Sequence, residues 1–146
     1  MVINTLNIEE AKKLIKQAEK NKETPIIVKA QDVNFNRNIL EYGKFNILLS
    51  PETVQSRKSL RNIDSGLDYV MARAAAKNKI AIGIDFNFPQ DKKEKAKILS
   101  KIVNNIKICR KAEARIIAMN YKDKKDALSL LLSLGASTKQ ASDAFD

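Results

Sequence analysis

The chain predicts a parallel α/β fold. Short apolar runs at Ile26–Lys29, Phe45–Leu49, Ile80–Ile84 and Arg115–Met119 show little of the polar alternation of a half-solvated strand, so they read as strands buried on both faces. Each is followed by a longer stretch of helical period, and strict alternation of this kind implies a parallel sheet with right-handed crossovers. Only 4 Gly and 3 Pro punctuate 146 residues, which suits one domain, 1–146, with short connections. The alternation is equally compatible with an open sheet and with a barrel.

The elements follow in order. A first strand, Val2–Leu6, leads to Asn7, which caps a helix over Ile8–Lys20 with Glu10 at its third position; Ile8, Ala11, Leu14, Ile15 and Ala18 mark its buried face. Pro25 opens the second strand, where the missing N–H is tolerated at an edge position. A short helix near Arg37–Tyr42 ends at Gly43, and Phe45–Leu49 is the third strand. Ser65 is the expected N-cap of the next helix, with Asp68 three residues on in a capping-box role and Leu67, Val70, Met71, Ala74 and Ala75 on one face. Asn78 closes it before the strand Ile80–Ile84. Pro89 and Asp91 open a long helix to about Lys111, with Ile98, Leu99, Ile102, Val103, Ile106 and Cys109 as its inward stripe. After Arg115–Met119, a helix over Asp126–Leu134 stops at Gly135, and Ser137 with Gln140 caps a last short helix to Phe145.

Composition excludes several chemistries. The chain has no histidine and one cysteine, so it holds no Ser–His or Cys–His nucleophile pair and no imidazole base or metal ligand. A zinc site is excluded on the same ground. Asp32, Asp64, Asp85 and Asp91 form no tight motif, and each also reads as a cap, loop or strand-end residue. Cys109 cannot form an internal disulfide, fits a reducing cytoplasm, and reads as a buried structural thiol. No apolar run approaches the ~20 residues needed to span a bilayer, and Ile8–Asn21 is charged throughout, unlike a secretory signal; the expectation is a cytoplasmic protein without membrane contact.

Charge is concentrated. Residues 91–125 carry 12 basic and 4 acidic side chains, supplying +8 of the net +10. That asymmetry is the footprint of a polyanion-binding face. Lys92, Lys93, Lys95, Lys97 and Lys101 fit either RNA contact or a solvated helix face. Arg57, Lys58 and Arg61 favour phosphate contact, since the guanidinium fork matches phosphate oxygens. Lys122, Lys124 and Lys125 form a similar cluster with Asp123 and Asp126 interleaved. Aromatics are few: Phe35, Tyr42, Phe45 and Phe86 lie beside apolar runs and read as core, whereas Tyr121 is a candidate for base stacking. The pattern suits recognition of folded RNA by shape and backbone.

The residue order of one segment goes further. Residues 57–86, RKSLRNIDSGLDYVMARAAAKNKIAIGIDF, resemble the signature of the ribonuclease P protein component 3 family, an Arg-Lys-Asp-x-Gly-Leu/Ile-Asp/Asn-x-Val-Leu-Ala run followed by Asn-x-Val-Ala-Ile-Glu-Phe. The likeness extends upstream through NRNILEYGKFNILLSPE (36–52) and downstream through NNIKICRKAEARIIAMN (104–120) to Ser133-Leu134-Gly135, so that residues 26–146 form a family-like region. Either Arg57 or Arg61 holds the family's basic position, and Asn120-Tyr121-Lys122 stands where many relatives have a small-residue turn. The family is usually longer at its N-terminus, a portion here compressed into a βα element at 1–25.

The resemblance implies a TIM-like architecture. With about five strands, too few to close an eight-stranded ring, the expected fold is a partial, open (β/α) barrel whose edge needs cover from the N-terminal segment or a partner. It also implies a non-catalytic protein subunit of ribonuclease P that supports the catalytic RNA in removing the 5′ leader from precursor tRNA; the residue content separately sets the expectation of no cofactor and no metal. Its partners would be the ribonuclease P RNA and protein component 2, with precursor tRNA contacted indirectly. The RNA-binding residues expected are Arg57, Lys58, Arg61, Lys92, Lys93, Lys122, Lys124 and Lys125. Two alternatives stand beside this reading: a metal-dependent phosphoesterase of the histidinol-phosphatase-like type, testable with Asp85→Ala, and a small basic ribosomal or kink-turn RNA-binding protein.

Overall fold

Short apolar segments pair in parallel in the order in which they occur in the chain. The computed structural model describes residues 2–54 and 65–145. The strands are β1 (Val2–Ile3), β2 (Ile27–Lys29), β3 (Ile47–Leu49), β4 (Ala81–Asp85) and β5 (Ile116–Met119). Between and after them run α1 (Ile8–Lys20), α2 (Val33–Tyr42), a 3₁₀ turn (Pro51–Thr53), α3 (Tyr69–Lys77), α4 (Lys92–Ala112), α5 (Lys124–Ser133) and α6 (Thr138–Asp143). The sheet order β1-β2-β3-β4-β5 advances one strand at a time, all parallel. That is barrel winding; a doubly wound sheet reverses direction at a switch point. The fold is the expected partial, open (β/α) barrel, with five strands among the described residues.

Register explains the two faces. Ile3, Val28, Leu48, Ile82 and Ile116 align across the sheet and point into the main core, with Ile15, Ile39, Met71, Ile102 and Ile106 from the helices. Each such side chain contributes roughly 1.5–3 kcal/mol by leaving water. The opposite face carries Ile27, Ile47, Leu49 and Ala81 in a second, smaller cluster with Ile117 and Met119. Gly83 sits among them: a Cβ there would lie 2.9 Å from Ile47 Cγ2 and 3.3 Å from Leu49 Cδ1. Its missing side chain leaves the space that Ile47, Leu49 and Met119 of the two neighbouring strands occupy.

Helix starts depart from expectation in instructive ways. Ser65 is not a cap. Asp68 caps α3, its Oδ1 accepting the Met71 N–H at 2.8 Å, while Ser65 is buried and its carbonyl accepts from Asn105 Nδ2 at 3.1 Å. The buried stripe of α3 is therefore Met71, Ala72 and Ala75, and Val70 is 67% exposed. Leu67, one residue before the cap, is buried as expected. Similarly, Asp32 starts α2 a turn early and Asp123 starts α5. Val103 is 42% exposed, outside the α4 stripe that holds Ile102, Ile106 and Cys109. β1 ends at Ile3, leaving Leu6 exposed.

The remaining caps stand as expected. Asn7 accepts from Glu9 and Glu10, and Ser137 and Gln140 form a reciprocal capping box. The sheet edges are treated differently: β1 pairs with β2, and on the far side the Ala118 N–H of β5 donates to the Ala144 carbonyl beyond α6 at 2.9 Å.

Candidate nucleic-acid interface

In a parallel β/α winding, every strand-to-helix loop emerges at the carboxyl end of the sheet, where binding sites of such folds collect. Among the described residues, the expected lysines lie in or directly after two of these loops, those leading into α4 and α5. Arg57, Lys58 and Arg61 fall between β3 and α3, outside the described residues. The flanks of that segment are both held to α4: Lys101 Nζ donates to the Val54 carbonyl at 2.8 Å, and Asn104 Nδ2 donates to Ser65 Oγ at 2.9 Å.

Lys92 and Lys93 occupy the first turn of α4, Lys124 and Lys125 the first turn of α5, and Lys122 the loop before it; all five are exposed. None of them forms an ion pair among the described residues, where α4's one pair joins Lys97 to Glu94 at 3.5 Å. The two helices begin alike, with Asp91-Lys92-Lys93-Glu94 and Asp123-Lys124-Lys125-Asp126. In each the aspartate caps by accepting the N–H three residues on, at 3.0 Å in both cases. A helix N-terminus already bears partial positive charge, so paired lysines there oppose the macrodipole instead of complementing it. The acidic residues of the same turns, Asp91 with Glu94 and Asp123 with Asp126, complement it.

The two loops are stitched together. Asp85 Oδ1 accepts from both the Asn87 N–H at 2.9 Å and Asn120 Nδ2 at 3.1 Å, and the Phe86 N–H donates to the Met119 carbonyl at 2.9 Å. Between them lies a cleft of about 450 Å³ lined by Phe86, Phe88, Lys95, Tyr121 and Lys122, with Asp123 and Asp126 also reaching it. Tyr121, the expected stacking residue, is 37% exposed and meets Phe145 edge-on at 5.0 Å. Phe86, read from sequence as core, is half-buried against the core.

Polar side chains that the sequence did not single out occupy the centre of this end. Glu52 is 1% exposed; its Oε1 accepts the Asp85 N–H, and Oε2 has no partner among the described residues. Burial pushes its carboxyl up to about 7. Lys29 Nζ donates to Thr53 Oγ1 at 2.7 Å, and burial lowers its pKa against the pull of Glu52 and Asp85. The signal available was Ser50-Pro51-Glu52 directly after a buried strand, which fixes the carboxylate at the sheet's end. Asp32 and Asp91 act as helix caps and Asp85 as a strand-end residue. Among the described residues no three His, Cys, Asp or Glu side chains gather as a metal-binding set. Cys109 is buried, and its thiol is pushed up to about 12 by desolvation. No helix among the described residues is long and apolar enough to cross a membrane.

Fold and site together define a partial (β/α) barrel protein with a cationic, aromatic-lined face at the carboxyl end of its strands. Ribonuclease P protein component 3 of Methanococcus maripaludis is 32% identical over 117 residues, covering 79% of this chain and 47% of the relative. The protein of the same description from Methanocaldococcus jannaschii is 28% identical over 124 residues, covering 82% of this chain and 50% of the relative. The chain is a homologue of ribonuclease P protein component 3, and it spans about half the length of the curated relatives it matches. A chain of the cryo-EM structure of archaeal ribonuclease P with mature tRNA superposes with a TM-score of 0.78 at 25% identity, over 98% of this chain and 62% of that one. No family model matches the chain.

Proposed function

We propose that this protein is a single-domain, cytoplasmic, non-catalytic subunit of ribonuclease P, which supports the catalytic RNA in removing the 5′ leader from precursor tRNA. Its partners in this reading are the ribonuclease P RNA and protein component 2. The observation that carries it is the pair of Asp-Lys-Lys helix starts, which place four lysines without an ion pair among the described residues on the same end of a barrel homologous to a ribonuclease P subunit. Arg57, Lys58, Arg61 and Lys122 belong to the same set by chain position.

The binding mode follows from the residue types. Exposed lysines neutralise phosphates and release condensed counterions, so affinity falls steeply with salt and carries little base information. Two experiments test the reading. Affinity purification from native cell extract, with sequencing of the bound RNA, should recover ribonuclease P RNA; ribosomal RNA alone would overturn it. A salt titration of that RNA with Lys92→Ala/Lys93→Ala/Lys124→Ala/Lys125→Ala should show a log–log slope reduced by roughly one unit or less for each contact removed. An unchanged slope would take these lysines off the RNA face.

A further inference from the structure

The cleft between the β4–α4 and β5–α5 loops is more than a basic patch, because its walls are aromatic. Phe88 stands on one loop and Tyr121 on the other. Each belongs to a ring pair that fixes it: Phe88 tilts against Phe86 with centroids 5.7 Å apart, and Tyr121 meets Phe145 at 81°. Lysines sit beside the same rings, Lys95 Nζ at 5.7 Å from the Phe88 centroid and Lys124 Nζ at 5.8 Å from that of Phe145. Cation and ring are thus already held together at two points on the rim.

Charge sorts the parts of a ligand across this site. Asp123 and Asp126 line the cleft together with Lys95 and Lys122, so its interior is charge-balanced and offers no surplus cation to a phosphate inside it. The exposed lysine pairs of the two helix starts, which follow the two loops and lie outside that lining, attract phosphates beside it. A neutral planar ring flanked by phosphates satisfies both conditions. We propose that the cleft takes one unpaired nucleotide of the bound RNA, its base stacked on the Phe88 and Tyr121 walls and its flanking phosphates on Lys92–Lys93 and Lys124–Lys125. The inference rests on the RNA-binding reading and adds to it a requirement for a base released from pairing, since a base inside a helix cannot offer its face.

The test uses the full chain with a short single-stranded RNA carrying one 2-aminopurine, and a blunt duplex of the same strand as comparison. The single strand should bind more tightly at equal salt, and 2-aminopurine emission should be quenched on binding. Tyr121→Leu and Phe88→Leu should each weaken single-strand binding by about 5- to 100-fold, the range of one base–aromatic stack, and abolish the quench while leaving duplex affinity and salt slope unchanged. Tyr121→Phe should behave as wild type. Equal loss for both RNAs in the leucine variants, or no loss for either, overturns the stacking site. If the lysine variant still loses salt slope in that case, the RNA face stands without the cleft. Absence of binding to either RNA overturns both readings.

Discussion

Glu52 and Asp85 meet where β3 and β4 end: the buried Glu52 accepts the Asp85 backbone N–H at 3.2 Å through Oε1, while Oε2 has no partner among the described residues. Hydrogen bonding from that N–H and the charge of Lys29 favour the carboxylate, but burial outweighs them and raises its pKa from 4.5 to about 7. The folded state therefore holds this proton more tightly than the unfolded chain. Its stabilising contribution is fully present below about pH 4.5, is lost as pH rises to about 7, and stays absent above. The loss should be on the order of 3 kcal/mol. Glu52→Gln, which mimics the protonated form, should match wild type in urea melts at pH 4 and exceed it at pH 8.

Leu67 and Val70 lie on opposite sides of the α3 cap. Leu67→Ala should cost about 2–5 kcal/mol through lost burial and a residual cavity. Val70→Ala, at an exposed position, should stay within about 0.5 kcal/mol. Denaturant unfolding of the two variants checks the corrected helix start, since a cap at Ser65 would put both residues on the buried face.

Gly66 carries a φ of +79°, and a Cβ on it would lie 2.1 Å from the Pro51 carbonyl oxygen. Gly66→Ala should therefore destabilise by at least about 2 kcal/mol, combining left-handed strain with a backbone clash. Thermal unfolding measures it. A near-neutral result would mean that the Pro51 turn does not hold this close approach.

Asn105 on α4 is buried and donates to the Ser65 carbonyl. Asn105→Ala should cost about 1–3 kcal/mol, because the partner carbonyl is left unsatisfied in the core. Hydrogen–deuterium exchange should also rise first in the residues flanking 55–64, whose ends α4 holds through Lys101 and Asn104.

By itself the sequence determined the order of strands and helices, the core stripe of α1, the Asn7 and Ser137 caps, the buried Cys109, and the resemblance to ribonuclease P protein component 3. These depend on local periodicity, capping chemistry and residue order, all present in a linear string. Tertiary structure decided what depends on neighbours distant in sequence. Asp68 replaces Ser65 as the cap because Ser65 is taken by Asn104 and Asn105, some forty residues on. Val70 turns outward because the cap shift rotates the buried face of α3. The inward stripe of α4 likewise passes by Val103, since α4's packing selects which apolar residues face the core. The lysines could be found by counting charge, but not their convergence on one end of the sheet. That follows from parallel winding, which delivers every strand-to-helix loop to the same side and so brings two Asp-Lys-Lys starts, thirty-two residues apart in the chain, to one end of the sheet.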